Sequence, residues 1–156
     1  MKLQIRRMRK EDIPGVLQVE RACFSEPWSA ETFSATLLLP YAYYYVAEML
    51  PDAGGEMRGE TPRIVGQCGV RDILGEGEIT NVSVLPGFRG HGISRRLLGM
   101  LLREAGERGT RVFTLEVRAG NRPAIALYES LGFRTEGVRR GFYEKPAEDA
   151  LIMWKR

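Results

Sequence analysis

The chain is poor in the side chains that most enzymes use as nucleophiles, bases or metal ligands. It has one histidine, His91, and two cysteines, Cys23 and Cys68, far apart in the sequence. Two distant cysteines make no metal or redox spacing, so no metal is expected and their ordinary reading is as small buried hydrophobes. With one histidine there is no credible Ser/His/Asp set. No apolar run approaches the ~18 residues of a membrane span. The segment from Met1 to Arg7 lacks the apolar stretch of a signal peptide, so a cytoplasmic location and no membrane partner are expected. The net charge is +3 and arginine far outnumbers lysine, but the arginines are spread along the chain with acids between them. No basic block is interleaved with aromatics, so direct nucleic-acid binding is not expected. Internal repeats and low-complexity segments are also missing.

What is present suits one folded domain over residues 1–156. Hydrophobic residues make up 44% of the chain, enough for a core. Leu3–Arg7 reads as a strand. Glu11–Ala22 reads as a helix, with Pro14 tolerated in its first turn. Ser29 caps a second helix that runs through Phe33, Leu37 and Leu38 and stops before Pro40. Tyr43–Ala47 is a strand, and Leu50–Pro62, with its prolines, glycines and charges, is a surface loop joining a hairpin. Ile64–Ile73 and Glu78–Val84 are strands joined at Gly75-Glu76-Gly77. Gly92–Arg108 is an amphipathic helix ended by Gly109. Val112–Val117 is a strand, Asn121 and Pro123 open a fourth helix through Leu131, and Phe133–Val138 and Ala150–Trp154 close the chain. The pattern is an α/β domain of α+β type, with one mixed sheet covered by helices on both faces.

The stretch from Val82 to Leu98 carries the most chemistry. It reads as strand, glycine-rich turn and helix, an arrangement that aims free backbone N–H groups at an anion from the positive end of a helix dipole. A P-loop needs lysine and then Ser or Thr after its glycines, and Gly92 is followed by Ile93-Ser94. A dinucleotide loop needs a third glycine, which Gly90-His91-Gly92-Ile93-Ser94-Arg95 lacks.

Arg89-Gly90-His91-Gly92-Ile93-Ser94 resembles the Q/R-x-x-G-x-G/A pyrophosphate loop of the GNAT acetyltransferases, with Ser94 at the position of the last small residue. Two further stretches, Leu115 to Asn121 and Ala124 to Phe133, resemble the RimI branch of that family. So do Arg139 to Tyr143, Glu148 to Met153 and Phe24 to Ser29, whereas the Leu50–Pro62 loop is longer than the resemblance covers. It implies a GNAT fold: a single, mostly antiparallel sheet of about seven strands, splayed where acetyl-CoA binds. It also implies acetyl transfer to the N-terminal alanine of a small-subunit ribosomal protein by direct attack of the amine. The enzyme is expected to be a monomer or weak dimer.

That chemistry needs a neutral amine, a donor for the oxyanion and a proton for the leaving thiolate. Glu116, at the C-terminal end of an apolar strand, is the candidate general base; the plain alternative is an exposed acid paired with Arg118. Tyr128 is the candidate general acid; the alternative is a core aromatic with a satisfied hydroxyl. The resemblance implies the catalytic role for both. It also sets Val82, Ser83 and Val84 along the pantetheine arm. Gly90, Gly92, Ile93 and Ser94 would offer N–H groups to the pyrophosphate, with Arg89 adding charge. His91 is read as a loop residue contributing backbone. Asn121 either contacts acetyl-CoA or caps its helix, or both. Glu26, Trp28 and Tyr143 either frame the acceptor channel or are packing and surface residues. The competing readings are a GNAT enzyme acting on a lysine or small amine, and a CoA-binding module without turnover.

Overall fold

The computed structural model describes residues 2–52 and 61–156. Seven strands form one sheet in the order β1-β2-β3-β4-β5-β7-β6. Strand β1 (Lys2–Arg7) pairs antiparallel with β2 (Ala42–Leu50). Between them lie helices α1 (Ile13–Cys23) and α2 (Ala30–Leu37). Pro14 sits in the first turn of α1, where a missing N–H costs no helical bond. The Ser29 hydroxyl accepts from the Thr32 N–H at 3.1 Å and caps α2 as its residue type foretells. Strands β3 (Arg63–Ile73) and β4 (Glu76–Val84) meet in a two-residue turn, Leu74–Gly75, with φ of 54° and 88°. Positive φ at both positions matches the twist of a hairpin. The turn therefore lies one residue earlier than the Gly75–Gly77 expected from composition. Helix α3 (Ile93–Glu107), strand β5 (Val112–Arg118), helix α4 (Arg122–Ser130) and strands β6 (Arg134–Glu144) and β7 (Ala147–Lys155) complete the chain. Leu50 ends β2, and of the surface loop expected over Leu50–Pro62, residues 53–60 lie outside the described residues.

The sheet is covered on both faces because β2 alternates its apolar side chains. Tyr44 and Val46 join Ile13, Val16 and Phe33 in one core cluster, beneath α1 and α2. Tyr45 and Ala47 join the larger cluster with Leu97, Leu98, Leu101 and Ala105 of α3. No helix among the described residues is long and apolar enough to cross a membrane.

Two features of the pairing position the site. Every neighbouring pair of strands is antiparallel except β4 and β5. Those two run parallel and pair only from Glu76 to Glu78 against Val112 to Thr114. Beyond that, β4 bonds only to β3 and β5 only to β7, so the sheet opens at its centre. The second is the length of the last hairpin. Strands β6 and β7 were expected to end at Val138 and begin at Ala150, but they continue as a long hairpin to Glu144 and from Ala147. Nearly every residue of β6 is exposed, so it carries no apolar alternation to read. Pairing with β7 is what makes it a strand.

Candidate active site

The opening between β4 and β5 is a cleft of about 570 Å3. Val82, Ser83 and Val84 of β4 line one wall, the turn with Arg89, Gly90, Gly92, Ile93 and Ser94 forms one end, and Asn121 and Tyr128 of α4 form the other wall. Backbone conformation builds the turn. Gly90 and Gly92 have φ of 84° and 75°, in the left-handed region that L side chains rarely adopt. An added Cβ at either glycine would meet nothing within 4 Å, so these residues serve conformation and not space. Gly92 is the N-cap of α3, and no side chain caps the helix and no acid stands in its first turn. The first helical bond runs from the Arg96 N–H to the Gly92 carbonyl at 3.1 Å. The N–H groups of the first turn are thus left at the positive end of a helix that faces the cleft. This arrangement suits a phosphate.

Cationic side chains surround that end. Arg89 Nε donates to the Val84 carbonyl at 3.0 Å and its second nitrogen approaches Cys23 Sγ at 3.3 Å, so its charge is braced across the end of β4. Arg95, also in the lining, donates to Ser130 Oγ at 2.9 Å and ties α3 to α4. His91 is exposed in the turn and outside the lining.

Tyr128 is buried, with its ring edge-to-face against Phe133 at 6.0 Å. Its hydroxyl makes no hydrogen bond to a described residue. Burial, and then the neighbouring Cys68 and Tyr143, push its pKa well above the ordinary tyrosine range. The group is protonated throughout the neutral range. Asn121 caps α4 by accepting from the Ala124 N–H at 3.3 Å, which leaves its amide hydrogens for the cleft.

Glu116 lies outside the cleft lining, on the β5–β7–β6 half of the sheet. Its ion-pair partner is Arg139 on β6, at 3.4 Å, and not Arg118, the partner in the plain alternative reading. Arg118 is held elsewhere, by Glu148 at 3.2 Å and by the carbonyls of Lys145 and Pro146, and it covers the Tyr143 ring at 4.2 Å. The pKa of Tyr143 is raised by burial and then by the charge of Glu116, and Tyr143 in turn acts on Tyr128.

The three candidate acceptor residues take different places. Glu26 is exposed, 4.0 Å from Lys145 in the β6–β7 turn, where the Ser25 hydroxyl also donates to the Lys145 carbonyl at 2.5 Å. The loop after α1 therefore touches the hairpin that carries Tyr143. Trp28 packs into the core beneath α1 and α2, 5.2 Å from Phe33 and 6.2 Å from Tyr44. Its backbone N–H donates to Glu20, a buried carboxylate that also accepts from Gln67 and Asn81. Gln67 Oε1 beside it is buried without a partner. Among the described residues no group of His, Cys, Asp and Glu side chains could hold a metal ion.

Cys23, Phe24 and Phe88 also line the cleft and were missed by sequence reading. Phe88 lies in the turn after β4, while Cys23 and Phe24 come from the end of α1 and are brought in by the packing of α1 against β4. Arg95 had a signal, an arginine in the first turn of a helix without an acidic cap.

A model of the acetyltransferase (GNAT) family matches residues 13–133. The [ribosomal protein bS18]-alanine N-acetyltransferase of Escherichia coli (strain K12) is 34% identical over 144 residues, covering 91% of this chain and 89% of its own. The N-alpha-acetyltransferase RimI of Mycobacterium tuberculosis is 34% identical over 152 residues, with 94% and 87% covered. The crystal structure of the ribosomal-protein-S18-alanine N-acetyltransferase from Escherichia coli superposes with a TM-score of 0.82 at 30% identity, over 99% of this chain and 93% of that one.

Proposed function

Since the chain belongs to the acetyltransferase (GNAT) family, whose members use acetyl-CoA, we propose that it acetylates the α-amino group of a protein N-terminus, the N-terminal alanine of a small-subunit ribosomal protein. It does so in the cytoplasm, as one catalytic domain over residues 1–156. The observation that carries the acceptor is the likeness, over about nine-tenths of the chain, to an enzyme that acts on such an alanine.

The residues present fit acetyl-CoA. The uncapped head of α3, with Arg89 and Arg95 beside it, offers N–H groups and positive charge to the diphosphate. The β4 wall, where the strand has parted from β5, offers backbone groups to an extended chain. When bound, the thioester supplies an activated acetyl group. Glu116 accepts the proton that the ammonium must lose before it attacks, directly or through a water. Tyr128 holds its proton in the wall of the cleft and gives it to the departing sulfur. The N–H groups at residues 92–94 aim the reaction by holding the other end. Direct attack, in one ternary complex, needs no nucleophile from the protein.

The test is to incubate the purified protein with acetyl-CoA and a panel of N-terminal peptides and to locate the mark by mass spectrometry. A peptide that begins with alanine and carries basic residues is expected to be acetylated at its α-amino group. Glu116→Gln lowers kcat by roughly 100- to 10,000-fold with little change in the KM for acetyl-CoA. Labelling only at lysine overturns the acceptor, and an undiminished Glu116→Gln removes the base.

A further inference from the structure

Glu116 already holds a cation. The register of β5, β7 and β6 puts Glu116 opposite Ile152, and Ile152 opposite Gly137, while Arg118 and Arg139 both stand opposite Ala150. Paired residues share a face, as do residues two apart, so both arginines share the face of Glu116. Only one of them pairs with it. Arg118 is fastened to Glu148, to two carbonyls and to the Tyr143 ring, and its side chain is 28% exposed. Arg139 reaches across β7 to Glu116 at 3.4 Å, and its side chain is 57% exposed. Its one other contact of note is the Phe142 ring, at 5.6 Å.

We infer that Arg139 is a displaceable stand-in for the acceptor: its guanidinium occupies Glu116 until an incoming α-ammonium takes its place. This rests on the reading that Glu116 meets the acceptor amine. The exchange is one cation for another, so Glu116 is not left without a counter-charge before or after the acceptor arrives. The arrangement selects for a protonated amine, because a neutral group has nothing with which to dislodge the arginine. The displaced guanidinium stays tethered to β6 beside the site and reoccupies Glu116 when the acetylated, uncharged product forms. Arg139 is therefore a positioning and selectivity residue, one that acts through Glu116.

Steady-state kinetics on the intact enzyme, with an alanine-starting peptide and saturating acetyl-CoA, test this. In Arg139→Gln the competitor is gone, and the acceptor KM falls about two- to fivefold, the scale of an exposed ion pair. The KM for acetyl-CoA stays at the wild-type value. The acceptor KM of Arg139→Gln also rises more steeply with added NaCl than that of the wild type, because binding now creates an ion pair where it formerly exchanged one. Arg139→Lys keeps wild-type behaviour on both counts. Added to Glu116→Gln, Arg139→Gln brings no further fall in KM, since the carboxylate they contest is absent. An acceptor KM that is unchanged or raised in Arg139→Gln overturns the inference, as does a fall that persists in the Glu116→Gln background. Failure of the catalytic reading looks different: Glu116→Gln then turns over at the wild-type rate, whatever Arg139 does to KM.

Discussion

Glu20 is only 1% exposed, and no arginine or lysine is among its hydrogen-bond partners. Burial raises its pKa, and the donors from Trp28, Asn81 and Gln67 offset only part of that rise. A carboxyl raised on folding stabilises most while protonated. That contribution is complete below its unfolded value, about 4.3, and is lost as pH rises through the folded value. The neutral isostere lacks this dependence. Glu20→Gln should therefore gain stability relative to the wild type as pH rises from about 5 to 8, and urea unfolding at several pH values measures it. Parallel pH curves for the two proteins would show that Glu20 is not protonated on folding. Asp12 behaves oppositely: burial pushes its pKa up, but Arg6 and the Arg9 N–H prevail and hold it below the usual range. Its contribution is lost as pH falls.

At the scale of elements, the turn into α3 joins conformation to binding. Gly92 sits at φ 75°, and an alanine there costs about 1–2 kcal/mol in the left-handed region although the space is open. Relief of that cost turns the first N–H groups of α3 away from the cleft. Gly92→Ala is expected to bind acetyl-CoA about tenfold more weakly, equivalent to ~1.4 kcal/mol, by titration calorimetry. An unaltered Kd would mean that these N–H groups do not hold the ligand. This element was legible in the sequence because everything it needs is local: two glycines, no acid in the first turn, and a 3.6-residue apolar period behind them. Ser29 and Asn121 were legible as caps for the same reason. The second half of β6 was not legible, because an exposed edge strand owes its form to its partner and not to its own pattern. Nor was the partner of Glu116: Arg118 lies two residues on, but the β7–β6 register delivers Arg139.

Over the whole molecule, the cleft divides a sheet whose halves pair through only Glu76 to Glu78 and Val112 to Thr114. A ligand that touches β4, α3 and α4 together binds only when the halves are assembled. Acetyl-CoA at one hundred times its Kd should stabilise the fold by about 2.7 kcal/mol. For a chain of this size that raises Tm by about 5–10 °C, as read by scanning calorimetry. A shift that is absent at saturation would place the binding energy in a part that forms without the rest of the fold.

The order of strands and helices, the two-faced sheet and the glycine turn followed from the sequence alone, since periodicity, caps and left-handed glycines act within a few residues. Most of the cleft lining was also named in advance, because it lies in that turn, at the adjoining end of β4 and on α4. Tertiary structure alone decided that β4 and β5 part after three paired residues, that Cys23 and Phe24 close the cleft, and that Glu116 meets Arg139. Each of these depends on strand register and on helix packing between residues far apart in the chain, and such contacts leave no period or local motif to read.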